Sequence, residues 1–289
     1  MNMWIANSYG KINLGLHVLE KLPTGYHRIE SGICFIEWKD RFEVEESKSF
    51  QLTLSDQSIP TDGSNLITQA YNLFDKYVGL NQHYSFNITK NIPAGAGLGG
   101  GSSNAALTLR ILNKLEDAGL SDSELIDFGR TLGADVPFFI KGTPGIATGL
   151  GHNIEPADIQ PDAWIVTMYP NFESSTAEVY QKCVPNPDHD FSIKGVLLEE
   201  EIDQWQFLLE NDLEAPVFAN HELVGNIKDQ MLEFGAEFAM MSGSGSTVYG
   251  VFDQDFVAIN AYESFHKLGF PANLTRPNFK PDYGIYRKD

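Results

Sequence analysis

Between Pro93 and Ser103 the chain carries five glycines in seven residues, and a run of small residues follows at once. Without side chains in the way, backbone N–H groups can close on a bulky anion. A helix opening directly after such a loop adds partial positive charge where a phosphate would sit. Ser102 and Ser103 bring hydroxyls that can donate to phosphate oxygens or reach a Mg²⁺ ion. Pro93, Ala94, Gly95, Ala96, Gly97, Leu98, Gly99, Gly100, Gly101, Ser102 and Ser103 are therefore the candidate cradle for a nucleotide's phosphates.

Three short patterns in or near this loop point elsewhere and fail on context. Gly95, Gly97 and Gly100 fit the dinucleotide fingerprint. That fold needs a second parallel strand ending in an acidic residue, and here Glu116 and Asp117 fall at a helix end with another helix beyond. The stretch from Gly95 to Ser102 resembles a Walker A loop, but Gly101 stands where its lysine would be, so the missing cation must come from elsewhere in the chain. Asp127-Phe128-Gly129 copies a protein-kinase triplet, without the other kinase segments and inside an amphipathic helix. No histidine spacing suits zinc, and no structural metal is expected.

The elements that must position the loop read as an α+β pattern joined by short, mostly antiparallel connections. Residues 11–18 alternate, with Ile12, Leu14, Leu16 and Val18 on one face and Lys11, Asn13, Gly15 and His17 on the other. Strands are expected near 31–38, 41–46, 50–54 and 83–90, and a helix over 65–78 with Ser64 as N-cap. Helices follow over 102–115 and, behind the Ser121…Glu124 capping box, up to Gly133. Later come a strand at 164–169, helices near 176–182, 198–219 and 221–235, a strand–loop–strand unit over 237–252, a helix near 254–267 and a last strand. The Pro- and Asp-rich stretch 155–163 marks a boundary between units 1–158 and 159–289.

The chain has 289 residues, 42% hydrophobic and 20% charged, enough for two packed domains and a small-molecule pocket. Its formal charge of −19 disfavours nucleic acid and anionic membranes as partners. The same charge repels nucleotides, so a phosphate site must build its own positive potential. Two cysteines without a CxxC, no secretory leader and no stretch of membrane-spanning length predict a cytoplasmic protein, a monomer or homodimer.

Three segments in this order resemble the motifs of the GHMP kinase superfamily: the strand with Lys11, the loop 93–106, and Ser242-Gly243-Ser244-Gly245-Ser246. Lys11-Ile12-Asn13-Leu14, Gly25-Tyr26-His27, Gly133-Ala134-Asp135-Val136-Pro137, the block 175–180 and Asn211-Asp212-Leu213-Glu214 narrow the likeness. They are similar to the branch acting on a cytidine diphosphate derivative in non-mevalonate isoprenoid synthesis. The resemblance spans roughly residues 5–252. It implies a two-domain α+β fold, ribosomal S5 domain-2-like in 1–158, which binds ATP, and ferredoxin-like in 159–289. ATP as co-substrate with Mg²⁺ on its phosphates is implied, with no dedicated metal cage; Ser103 is the nearest candidate donor. Lys11 and Asp135 are the implied catalytic pair. Asn13, Gly243 and Ser244 would meet the acceptor, Tyr26 and Tyr180 would sandwich its cytosine, His27 would read the base edge, and Asn65 would touch adenine. A homoserine- or mevalonate-type kinase would keep the loop without needing Tyr26 and His27. A non-catalytic nucleotide-binding module would not need Lys11 with Asp135.

Overall fold

The structure is a computed structural model describing residues 2–288. Its first half runs β1 (Met3–Lys21), β2 (His27–Ser47), β3 (Gln51–Leu54), α1 (Leu66–Tyr77), β4 (His83–Thr89), α2 (Gly100–Leu115), α3 (Asp122–Leu132), α4 (Val136–Lys141), β5 (Gly145–Gly149) and β6 (Asn153–Pro156). The second runs β7 (Trp164–Met168), α5 (Thr176–Lys182), α6 (Ile193–Glu199), α7 (Ile202–Leu208), α8 (Glu214–Phe218), α9 (Glu222–Glu233), β8 (Phe238–Met241), β9 (Val248–Phe252), α10 (Asp255–Lys267), β10 (Ala272–Thr275) and β11 (Tyr286–Lys288). A large sheet is ordered β11-β1-β2-β4-β3, with β5 also on β2 and β6 on β5, and a small sheet is ordered β10-β7-β9-β8. Among the strand pairs of the described residues only β3–β4 is parallel, which agrees with the expected antiparallel character.

Apolar side chains fix the layers. Phe35, Phe42, Phe74, Phe86, Phe138 and Phe139 close one core between the large sheet and the N-terminal helices. Ile12, Leu14, Ile165, Trp205, Phe238 and Tyr249 fill a second between the two sheets. Val166, Ile227, Met231 and Phe265 bury the small sheet's far face under α9 and α10. The chain then returns: Phe279 is part of the first core, Tyr283 packs on it, and β11 pairs antiparallel with Met3–Ile5.

Strand β1 lies between layers, so the polar face of the alternating stretch is buried as well as the apolar one. Lys11, Asn13 and His17 are 5%, 4% and 3% exposed. Buried polar groups need partners, and Lys11 and Asn13 find each other, with Ser31 behind them. The strands expected over 31–46 are one long strand, β2. The N-cap of α1 is Asn65 rather than Ser64: Asn65 Oδ1 accepts from Ile67 N at 2.8 Å, whereas Ser64 Oγ donates to Asp62 at 2.6 Å. The helix expected over 198–219 is broken into α7 and α8, with α6 before them. Residues 210–212 are instead extended on β1, with Leu16 N donating to Glu210 O at 2.8 Å and Asp212 N to Leu16 O at 2.9 Å. A tertiary partner wins there over local helix propensity. The helix α4 and the strands β5, β6 and β11 have no counterpart in the sequence reading.

His17 gives the fold a pH dependence. Its ring lies flat on His189, centroids 3.5 Å apart. Its Nδ1 is 3.9 Å from Glu30, but that carboxylate accepts from Ile193 N and Lys194 N at 3.2 Å each. Burial first, then His189, push its pKa from 6.5 down to about 4. The unfolded chain therefore binds more protons below pH 6.5, so this contribution is complete above that pH and is lost as pH falls toward 4. The full swing is about 3 kcal/mol. The melting temperature is expected to drop between pH 6.5 and 4, and His17→Phe, which keeps a flat ring on His189, should flatten that part of the profile.

Candidate active site

A single cavity of about 920 Å³ runs between the glycine-rich loop, β1, the turn after it, the N-terminus of α4, α5 and the loop joining β8 to β9. Of the residues singled out by sequence, all but Ser103 line it: Lys11, Asn13, Tyr26, His27, Asn65, Pro93 to Ser102, Asp135, Tyr180, Gly243 and Ser244. Ser103 sits behind the loop, buried, its Oγ without a hydrogen-bond partner among the described residues.

The loop's shape follows from its contacts. Gly97 has φ +78°, and a Cβ there would stand 2.2 Å from Ser242 O. Ser242 Oγ donates to Gly97 O at 2.9 Å and Thr247 N to Ala96 O at 3.2 Å, so the two glycine-rich loops interlock. Helix α2 opens at Gly100, two residues before the expected start, with Gly99 in the left-handed region and no side chain capping it. The first N–H groups of a helix have no partner within it, and here they belong to residues lining the cavity.

Where β1 meets the N-terminus of α4, Lys11 Nζ lies 3.7 Å from Asp135 Oδ2 and donates to Asn13 Oδ1 at 2.6 Å. Asn13 Nδ2 in turn donates to Ser31 Oγ at 2.8 Å, and Ser31 to Gly15 O at 2.6 Å. Lys11 N donates to Leu98 O at 3.0 Å, tying the strand directly to the loop. Asp135 stands at the N-cap of α4 yet makes no side-chain cap bond, which leaves its carboxylate to Lys11 and the cavity. This pair supplies the cation that the loop itself lacks.

At the other end, the ring facing Tyr180 is that of His27, with centroids 5.2 Å apart and planes 29° apart. Tyr26 stands beside them, 66% exposed. Burial, then Asp135, push the Tyr180 hydroxyl pKa up, so it remains a donor. Burial, then Lys21, push the His27 pKa down, keeping its ring neutral at pH 7. Its Nε2 is buried with no partner among the described residues.

Asn65 lines the cavity, but its side chain is engaged on both sides: the cap bond above and Nδ2 donating to Pro60 O at 2.7 Å. Two cavity cations, Lys21 and Lys90, escaped the sequence reading. Lys90 is 7% exposed, paired with buried Asp40 and donating to Asn104 Oδ1 at 2.9 Å. Asp40 Oδ1 accepts from Asn91 N and Ile92 N at 2.7 and 2.9 Å. This network pins the entrance of the loop to β2 and α2, and no spacing in the sequence announces it.

Residues 65–143 match the family described as GHMP kinases N terminal domain, and residues 190–269 that of GHMP kinases C terminal. The 4-diphosphocytidyl-2-C-methyl-D-erythritol kinase of Chloroherpeton thalassium is 39% identical over 283 residues, covering 95% of this chain and 98% of its own. A crystal structure of 4-(cytidine 5'-diphospho)-2C-methyl-D-erythritol kinase superposes with a TM-score of 0.79 at 30% identity, over 95% of this chain and all of the other. Homoserine kinase from Cytophaga hutchinsonii superposes at 0.69 with 13% identity, over 98% and 97% of the two chains, a likeness of fold alone.

Proposed function

Because the chain belongs to the 4-diphosphocytidyl-2-C-methyl-D-erythritol kinase family of two-domain α+β GHMP kinases, we propose that it moves the γ-phosphate of ATP onto the 2-hydroxyl of 4-diphosphocytidyl-2-C-methyl-D-erythritol. It is an ATP-dependent small-molecule kinase; the acceptor, the residue roles, Mg²⁺ and a cytoplasmic location are what this reading adds. The observation that carries it is the Lys11–Asp135 pair at 3.7 Å, lining one cavity with the glycine-rich loop. Cytosine rests against Tyr180, the exposed Tyr26 covers it, and His27 Nε2 meets its edge.

Phosphoryl transfer needs an oriented nucleophile, neutralised phosphate charge and a place for the hydroxyl proton. Asp135 accepts the hydrogen of the acceptor hydroxyl and takes the proton as the new O–P bond forms and the bond from the γ-phosphorus to its bridging oxygen breaks, releasing ADP. The Lys11 ammonium faces the transferred phosphoryl, and Asn13 Oδ1 fixes its direction. Free N–H groups of the loop and of α2 hold the remaining phosphates, an arrangement that stabilises charge without reorganising. Lys90 adds positive charge beside the loop.

Among the described residues Asp135 is the only carboxylate lining the cavity, so the site would fit Mg²⁺ as an ion carried on ATP oxygens rather than caged by protein. Ser102 lines the cavity, and the unpaired Ser103 Oγ behind it is a further candidate donor. When bound, the ion neutralises charge on the β- and γ-phosphates.

Turnover of ATP with this acceptor, set beside homoserine and mevalonate, tests the assignment; transfer to either of those in preference would defeat it. Removing the stacking ring by Tyr180→Ala is expected to raise the acceptor KM by about 5- to 150-fold, from roughly 1–3 kcal/mol per stacked base. The ATP KM should stay within about twofold, as read by steady-state kinetics with each substrate varied.

A further inference from the structure

The strand β8 is an edge of the small sheet, and side chains occupy its open hydrogen-bonding groups. Gln206 Oε1 accepts from Ala239 N at 3.0 Å and Glu214 Oε1 from Met241 N at 2.8 Å. Asn211 goes further. Its Nδ2 donates to Met241 O at 2.8 Å and to Gly243 O at 2.9 Å, while its Oδ1 accepts from Leu213 N at 3.0 Å. The residue is 4% exposed, lies outside the cavity, and has both amide hydrogens committed. Its own backbone is held to β1 by the bonds of Glu210 and Asp212 to Leu16 and by Val18 N donating to Asp212 Oδ2 at 2.6 Å. Asn211 is thus a rigid strut from the strand that carries Lys11 and Asn13 to the loop that carries Gly243 and Ser244.

The strut has a directional consequence. A trans peptide is planar, so its C=O and N–H point opposite ways. Fixing Gly243 O on Asn211 aims the Ser244 N–H away from Asn211, on the side where Gly243 and Ser244 line the cavity. That N–H has no backbone partner among the described residues. Gly243 has φ +56°, and a Cβ there would stand 3.2 Å from Asn13 Oδ1 and 3.6 Å from Lys11 Nζ. Ser244 Oγ is held by Thr176 Oγ1 at 2.8 Å, at the start of the helix bearing Tyr180. The freed N–H therefore lies between the base-binding and reactive ends, where the acceptor's diphosphate must pass.

We infer that Asn211 is a positioning residue for the acceptor: by holding the Gly243 carbonyl it presents the Ser244 N–H to the diphosphate and plays no part in holding ATP. This rests on the acceptor proposed above. Asn211→Asp keeps the shape and the bond from Leu213 N but loses both donors, and Asn211→Ser serves if the aspartate variant does not fold. Gln206→Leu is the control, because it removes one bond to the same strand two residues before Met241.

Inhibition by CDP and by cytidine, both competing with the acceptor, separates positioning from general support. The wild type should favour CDP over cytidine. The Asn211 variants should lose that preference by tenfold or more, raise the acceptor KM by a similar factor, and leave the ATP KM within twofold. Gln206→Leu should lower the melting temperature with both KM values and the CDP preference retained. An Asn211 variant that keeps the CDP preference, or that moves both KM values in parallel, overturns the inference. A wild type inhibited by neither compound would instead defeat the acceptor assignment, so the two failures are distinct.

Discussion

The variant Asp135→Asn is expected to lose about 10³-fold in kcat, the scale of a positioned acid–base group, with the ATP KM within twofold of wild type. Its side chain caps no helix, and among the described residues its one polar contact within hydrogen-bonding or ion-pair range is the 3.7 Å approach to Lys11. The amide has the same size, so the fold should survive. What disappears is the base that takes the substrate's hydroxyl proton, and the counter-charge that keeps the ammonium between hydroxyl and phosphate; the amide oxygen can still accept a hydrogen bond. On the proposed function ATP is gripped by main-chain groups of another segment, so its binding should persist. Single-turnover measurement with saturating ATP checks this without interference from product release. Residual transfer within tenfold of wild type would mean that positioning by the loops alone carries the reaction, and the catalytic pair as drawn here would be wrong.

The second large effect is structural. In Gly97→Ala the new methyl carbon would stand 2.2 Å from Ser242 O and 3.1 Å from Gly245 O, both backbone atoms, at a φ of +78°. The left-handed conformation alone costs a residue with a side chain about 1–2 kcal/mol, and forcing apart a packed contact adds about 1–3 kcal/mol. The sum of about 2–5 kcal/mol is a large share of an ordinary domain's stability. The clash lies where the two glycine-rich loops interlock, so the affinities for ATP and for the acceptor should both fall. Gly101→Ala is the matched comparison: its nearest neighbour would be Leu66 Cδ1 at 3.6 Å, and no positive φ is required. Thermal unfolding and both KM values should separate the two; a Gly97→Ala protein that melts like wild type would show that the loops are not locked together.

Much of this site was legible because its chemistry is local. The glycine loop and the strand–loop–strand unit around Gly243 are each one short segment with a recognisable composition, and Lys11 and Asn13 share a face by the simple alternation of a strand. What escaped notice depends on partners far away in sequence. Lys90 matters through Asp40 and Asn104, and nothing in the composition around any of the three marks the group. The broken helix near 209–213 read as continuous because its propensity is helical, and only Leu16 on β1 explains the break. The stack of His27 on Tyr180 joins the start of β2 to α5, a pairing that residue type alone does not announce. The His17–His189 stack joins segments whose proximity no periodicity could reveal.

The return of Phe279, Tyr283 and β11 to the first layer also bears on how the molecule is made. As the chain leaves the ribosome, the first half emerges early with one sheet edge uncovered and a gap in its apolar filling. Neither is closed until a segment synthesised after the whole of the other half arrives. Chaperone dependence and aggregation of nascent chains should therefore be governed by these late residues, however far they lie from the chemistry.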